Sequence, residues 1–266
     1  MDQLPFKLSF MHRFNLHKLL GLIMDDYDLK TIARIYGVKV KEIKKLEETF
    51  NVNISRLAVN LKDKMPEKPA PAAPYRVIAI GDSLTSDRQS YMKILNRLWK
   101  DDPNREMIDC AISGDTTSMV MNRFYSTAMN QEFDWAILFL GTNDSRGPED
   151  EARMTNVSFE EYKANIQYFT ETLLKRKTKV INVTVPYADD EVQKAYFPDT
   201  NWTYDKKRMD QNNKFIRDMS KRLSTHVADL AKKLNEYKGE VIEEDGVHLN
   251  GGAHSMLCEL LLDILP

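Results

Sequence analysis

Arg76-Val77-Ile78-Ala79-Ile80-Gly81-Asp82-Ser83-Leu84 is the stretch whose reading decides the fold. Its apolar, largely β-branched centre stops at a glycine, and two short polar residues follow. A short apolar run of this kind suits a strand buried on both faces. Asp82 and Ser83 then suit the turn into a helix, where a side-chain oxygen can accept an otherwise unpaired amide. The pattern recurs. Trp135-Ala136-Ile137-Leu138-Phe139-Leu140 stops at Gly141, and Val180-Ile181-Asn182-Val183-Thr184-Val185 stops at Pro186. Weaker strands are predicted over 107–112 and 226–230. Helical patterns lie between them, over 91–100, 117–125, 159–175 and 209–223, with a last helix over 253–262. Strands alternating with helices predict an α/β fold, an open three-layer sandwich on a parallel sheet. In such sheets ligands sit beyond the carboxyl ends of the strands.

Upstream, Lys62-Asp63-Lys64-Met65-Pro66-Glu67-Lys68-Pro69-Ala70-Pro71-Ala72-Ala73-Pro74 reads as an extended Pro/Ala linker. The expected organisation is a small helical module over 1–62, a linker over 63–74 and the α/β domain over 75–266. A chain of 266 residues can bury a sizeable core, and 42% hydrophobic with 29% charged residues fits a globular protein. A net charge of -2 excludes a chain-wide pull toward nucleic acid or anionic membrane. The charge is uneven: residues 1–70 hold 13 Lys+Arg against 9 Asp+Glu, and the remainder 25 against 31. Cys110 and Cys258 alone argue against a disulfide framework, and a reducing compartment is expected. No run reaches the ~18 apolar residues of a membrane span. His12, Arg13, His17 and Lys18 interrupt the only candidate for a secretion signal, so the cytoplasm is the expected location.

Four segments carry the chemistry. Gly81-Asp82-Ser83-Leu84, Ser113-Gly114-Asp115, Gly141-Thr142-Asn143-Asp144 and Asp245-Gly246-Val247-His248 occur in this order, three of them just after strand ends. A serine hydroxyl is a poor nucleophile until a base takes its proton, and His248 is the natural base. Asp245, three residues earlier, can hold the imidazole tautomer. Gly114 can present its amide closely, and Asn143 can donate from its side chain. Each segment alone has a plainer reading as a helix cap or solvated turn; their ordered co-occurrence favours hydrolysis. Asp82 and Asp144 read as turn-stabilising acceptors, Asp115 and Thr116 as caps of the following helix, and His254 as structural. Arg88, Arg146 and Trp202 are weaker candidates for the border of a pocket. His12, His17 and His226 lack metal-ligand spacing.

These four segments resemble the signature blocks of the SGNH (GDSL) hydrolase family, over roughly residues 75–266. The resemblance implies a flavodoxin-like α/β/α fold and a serine esterase. It makes Ser83 the nucleophile, His248 and Asp245 the rest of the triad, and Ser83, Gly114 and Asn143 the oxyanion hole. Ile112-Ser113-Gly114-Asp115-Thr116-Thr117 is similar to the lysophospholipase-like and acetyl-esterase branches. Thr85 replaces the second glycine of a Gly-x-Ser-x-Gly elbow, which argues against the larger α/β-hydrolase superfamily. The expected reaction proceeds through an acyl-enzyme on a small acyl ester, an acetylated carbohydrate or a lysophospholipid, with no metal and no cofactor.

Residues 29–46 carry a second pattern. Ala33, then Gly37 four on, then Ile43 and Leu46, is the spacing of a helix-turn-helix, and Lys39, Lys41, Lys44 and Lys45 could face phosphates. Helices over 9–24 and 53–61 would complete the module. Glu42, Glu47 and Glu48 dilute that basic face, and arginine, the usual base reader, is absent from the second helix. Protein interaction or packing on the hydrolase is therefore the competing reading. The functional alternatives are a DNA-binding regulator whose hydrolase-like domain senses or processes an ester, and a scaffold with a decayed site. Oligomeric state stays open, a homo-oligomer included.

Overall fold

β1 (Tyr75–Gly81) alternates its side chains between two buried faces. Val77 and Ala79 enter one apolar cluster, while Ile78 and Ile80 enter another. That period of two sets a sheet covered on both sides. In this computed structural model, residues 7–16, 28–64, 71, 73–149 and 154–266 are described. β1 pairs in parallel with β2 (Arg105–Asp109) and β3 (Trp135–Phe139). β3 pairs with β5 (Lys179–Val183), and β5 with β7 (His226–Ala228), all in parallel. The order β2-β1-β3-β5-β7 is that of a flavodoxin-like sheet, with its switch point between β1 and β3.

Helices α5 (Tyr91–Leu98), α10 (Leu230–Glu236) and α11 (Gly251–Ile264) cover the face carrying Val77 and Ala79. The opposite face is covered by α6 (Thr117–Thr127), α7 (Phe159–Lys175) and α9 (Lys206–Leu223). The three-layer α/β/α sandwich expected from the alternation is the fold. Between these elements lie α4 (Ser83–Ser86) and α8 (Asp190–Tyr196), the latter without a sequence expectation. A small antiparallel pair, β4 (Arg146–Pro148) with β6 (Trp202–Tyr204), was equally unforeseen. The strand expected over 107–112 ends at Asp109, whose carboxylate accepts the Ala111 amide at 3.0 Å and turns the chain.

At the N-terminus, α1 (Leu8–Arg13) is shorter than the helix expected over 9–24; Asn15 takes φ 54°, and 17–24 lie outside the described residues. α2 (Leu29–Tyr36) begins at Asp28, which accepts the Thr31 amide at 3.0 Å. It ends at Gly37, whose φ of 67° only glycine adopts without strain. α3 (Val40–Lys64) is one continuous 25-residue helix, so the separate helix expected over 53–61 is its second half. No Gly or Pro interrupts that stretch. Ile32, Ala33, Tyr36, Ile43 and Met11 form a small cluster of their own. Further along α3, Ile54, Ala58 and Leu61 join the cluster that holds Val77, Leu95 and Leu257. Lys39, Lys41, Lys44 and Lys45 are exposed. Of the linker expected over 63–74, residues 63 and 64 finish α3, and 65–70 and 72 lie outside the described residues. Among the described residues no helix is long and apolar enough to cross a membrane.

Candidate active site

The switch point between β1 and β3 gathers the loops of interest. β1 ends at Gly81, where a Cβ would lie 2.2 Å from Thr85 Oγ1, so only glycine lets the chain fold back this tightly. Asp82 accepts the Leu84 amide at 3.0 Å and starts α4, whose first residue is Ser83. The loop after β2 brings Ser113 and Gly114, with Gly114 at φ 84°. The loop after β3 passes Gly141 at φ 129° and presents Asn143 in a 3-10 turn, Asn143–Ser145. Asp245 and His248 lie on the turn that precedes α11. Gly246 at φ 76° makes this turn, and its carbonyl accepts the Asp189 amide at 2.7 Å.

Ser83 and His248 are 165 residues apart in the chain, yet His248 Nε2 lies 2.8 Å from Ser83 Oγ. His248 Nδ1 lies 2.7 Å from Asp245 Oδ2. The other Asp245 oxygen accepts the amides of Val247 and His248, each at 2.9 Å. Burial by itself would raise the Asp245 carboxyl, but the charge and hydrogen bonds of His248 pull it down to about 2. It is thus a fixed carboxylate against one edge of the imidazole. Gly114 and Asn143 border the same cavity, of about 540 Å³, as Ser83 and His248. Among the described residues, the Ser83 and Gly114 amides donate to no protein acceptor. Asn143 Nδ2 donates to the Asp115 carbonyl at 3.1 Å and makes a longer 3.4 Å contact to Asp82 Oδ2.

Beneath the floor of this cavity sit more carboxyls. Burial, reinforced by Asp144 and Asp115, pushes Asp82 up to about 8. Burial also raises Asp144, to about 6, against the hydrogen bonds it accepts from Thr117. Asp82 accepts within its own turn, as expected, whereas Asp144 accepts from Thr117 at the start of α6 and so ties two loops together rather than stabilising its own turn. Thr116 caps α6 by accepting the Met119 amide, whereas Asp115 pairs with Arg123 at 2.6 Å and makes no cap. His254 is buried in α11, where Nδ1 accepts the Tyr91 amide at 3.3 Å. Arg146 and Trp202 do line the cavity, the guanidinium 5.0 Å above the indole. Arg88 turns away instead, to Glu47 at 2.6 Å and the His12 carbonyl.

One wall of the cavity carries no local signal. Phe10, Phe14 and Leu16 of the N-terminal segment line the cavity beside Phe197, Trp202 and Tyr204. The Phe14 ring stacks on the His248 imidazole, centroids 3.7 Å apart and planes 25° from parallel. Phe10 meets the same imidazole edge-on at 5.6 Å. Spacing Phe10 and Phe14 four residues apart marks only an apolar helix face, and nothing local says what that face covers.

Among solved structures, the chain is similar to a lipase/acylhydrolase from Enterococcus faecalis, at 21% identity and a TM-score of 0.60, covering 72% of this chain and 95% of that one. It is similar also to a catalytic mutant of an acetylxylan esterase from Geobacillus stearothermophilus, at 16% identity and a TM-score of 0.57, covering 73% and 95%. A third similar structure is TesA, at 16% identity and a TM-score of 0.54, covering 71% and 97%. At these identities the likeness is one of fold. No curated protein matches the chain. The sequence model of the GDSL-like Lipase/Acylhydrolase family matches residues 79–255, which run from the middle of β1 into α11 and include every side chain placed above around Ser83 except those of the N-terminal wall. By that match the chain belongs to the GDSL-like lipase/acylhydrolase family and is a serine ester hydrolase.

Proposed function

We propose that Ser83, His248 and Asp245 act as a catalytic triad that cleaves small acyl esters through an acyl-enzyme. The observation that carries this reading is the pair of contacts on one imidazole, Nε2 to Ser83 Oγ at 2.8 Å and Nδ1 to Asp245 Oδ2 at 2.7 Å. Ser83 Oγ attacks the ester carbonyl while Nε2 takes its proton. The carbonyl oxygen becomes an anion, received by the Ser83 and Gly114 amides and by Asn143 Nδ2. Collapse breaks the bond to the alcohol, which leaves with the proton from Nε2. Water then gives its proton to Nε2, attacks the acyl carbon and frees the acid, and the proton returns to Ser83 Oγ.

In the resting site Asn143 already donates to Asp115, and its contact to Asp82 is long. An oxyanion is the stronger acceptor and competes for that weakly held proton. Asp82, held near 8 by burial, is neutral at pH 7 and so does not oppose the negative charge forming beside it.

The substrate we assign is a short acyl group, acetyl foremost, on an alcohol about the size of a sugar ring. A cavity of about 540 Å³ suits a ligand of this size. Arg146 over Trp202 offers a flat, polar-edged platform for the alcohol. The similar acetylxylan esterase supports the carbohydrate over the lysophospholipid class. The test is an acyl panel from acetyl to palmitoyl, run beside acetylated sugars. Turnover falling steeply with acyl length, and lost in Ser83→Ala, supports the proposal. Preference for long chains would move it to the lipid class, and full activity in Ser83→Ala would end the triad reading.

A further inference from the structure

Three consecutive residues outside the family's matched region touch three of the four loops of the site: those that carry Ser83, Gly114 and His248. Arg13 reaches the loop after Ser83 and the loop before His248 at once. Its guanidinium holds Asp87, with Nε 2.9 Å and 3.0 Å from the two carboxylate oxygens. It also pairs with Glu243 at 2.9 Å and donates to the Leu249 carbonyl at 3.2 Å. Phe14 stacks on His248, and its carbonyl accepts from Ser113 Oγ, next to Gly114. Asn15 donates to the Ser86 carbonyl, one turn from Ser83. The Arg13 carbonyl in turn accepts the Arg88 amide at 2.9 Å.

We propose that Arg13 and Phe14 are positioning residues of the hydrolase, and that the N-terminal segment is a working part of its active site rather than an appendage. The proposal rests on the triad reading above. Its physical ground is a gap in what the triad can fix. The hydrogen bonds of His248 to Asp245 and Ser83 run in the plane of the imidazole and resist in-plane displacement. They resist tilting out of that plane poorly. Phe14 lies flat on that face, near van der Waals contact, and closes the direction the hydrogen bonds leave open. Arg13 fixes the spacing between the loops that carry Ser83 and His248, because one rigid guanidinium fork must satisfy Asp87 and Glu243 together. Asp87 has no exposed side-chain surface, so that link is shielded from competing water.

The experiment uses the full chain and two substitutions, Phe14→Ala and Phe14→Leu. Two rates are read: steady-state kcat and KM on p-nitrophenyl acetate, and phosphonylation of Ser83 by a small neutral organophosphonate. The second needs nucleophile activation but little substrate recognition. Thermal melting reports whether each variant is folded. A positioning role predicts that both rates fall on the order of 10- to 100-fold in Phe14→Ala. KM should change little, and Phe14→Leu, which keeps an apolar cover, should recover part of the loss. A folded Phe14→Ala protein with wild-type kcat and phosphonylation overturns the proposal, as does a change confined to KM. If Phe14→Ala does not fold, Phe14→Leu is read alone: a loss in both rates supports the role and wild-type rates overturn it. Ser83→Ala in the same assays separates the two readings, since activity surviving there removes the triad whatever Phe14 does.

Discussion

Asp245 grips His248 twice, through the imidazole Nδ1 at 2.7 Å and through the backbone amide of the same residue at 2.9 Å. The first contact sets which ring nitrogen faces Ser83, and the second fixes where the ring starts. An amide at position 245 would keep the backbone contact and lose the tautomer. Asp245→Asn is therefore expected to fold normally and to lose on the order of 10³–10⁴ in kcat. Steady-state kinetics beside a circular dichroism melt checks both halves.

Asn143 contributes one donor to the proposed oxyanion hole. Asn143→Ala should lower kcat on the order of 10²–10³ while KM moves little, because the bond strengthens as the oxyanion forms. A loss carried by KM alone would argue for a binding role.

Asp82 gives an alkaline prediction. Its carboxyl is raised by burial to about 8, so it is neutral below that pH and negative above it. A charge appearing 3.4 Å from Asn143 Nδ2 opposes the oxyanion and draws that donor away from it. Activity should fall as pH rises through about 8, and Asp82→Asn should flatten that limb whatever it does to the maximum rate. A pH–kcat profile of both proteins decides it.

Gly246 allows no other residue. Its φ is 76°, and a Cβ would lie 2.4 Å from the Gln193 backbone nitrogen and 2.6 Å from the Asp189 carbonyl. Those are backbone atoms of α8 and its cap, which cannot swing aside. Gly246→Ala should cost roughly 1–3 kcal/mol from backbone conformation alone. It should also lower kcat, since Asp245 and His248 stand on the same turn. Denaturant titration and kinetics on one preparation would show both.

Arg13 and Asp87 give a stability prediction with a pH signature. Burial pushes the Asp87 carboxyl up, but Arg13 and His254 overcome it and hold the group below its ordinary range. Folding therefore weakens proton binding at Asp87, and its contribution is present above the usual carboxylate range and lost as pH falls below about 4. Arg13→Ala would leave a buried carboxylate without its main counter-charge and should cost about 3–5 kcal/mol at neutral pH. The same variant should lose less stability than wild type on acidification, which denaturant midpoints from pH 7 to pH 3 would reveal.

Much of this molecule was legible in its sequence wherever local chemistry and burial agree. The strand at Val77–Ile80 and the helix at 159–175 are places where apolar period and neighbours give the same answer, and Ser158 starts that helix by accepting the Glu161 amide. That Ser83, Gly114, Asn143, Asp245 and His248 come together was legible because their segments fall at strand ends and tight turns on one side of the sheet. What escaped depended on distant contacts. Phe14 looks like any apolar residue of a short helix, and its stacking on His248 follows from packing across 234 positions of sequence. The outer and inner faces of α3 differ in burial, and only the tertiary fold shows that Leu61 is core while Val52 is surface. The β4–β6 pair is too short to leave a pattern, so nothing local foretold that Arg146 would meet Trp202.

The bond between Arg13 and Asp87 also constrains how such a chain can change over generations. A lineage that moved the catalytic block onto a different leader would inherit an enclosed anion stripped of its cation, together with an imidazole bare on one side. Drift at position 13 and drift at position 87 are therefore tied, and the heritable unit of this enzyme begins upstream of the block by which its kin are recognised.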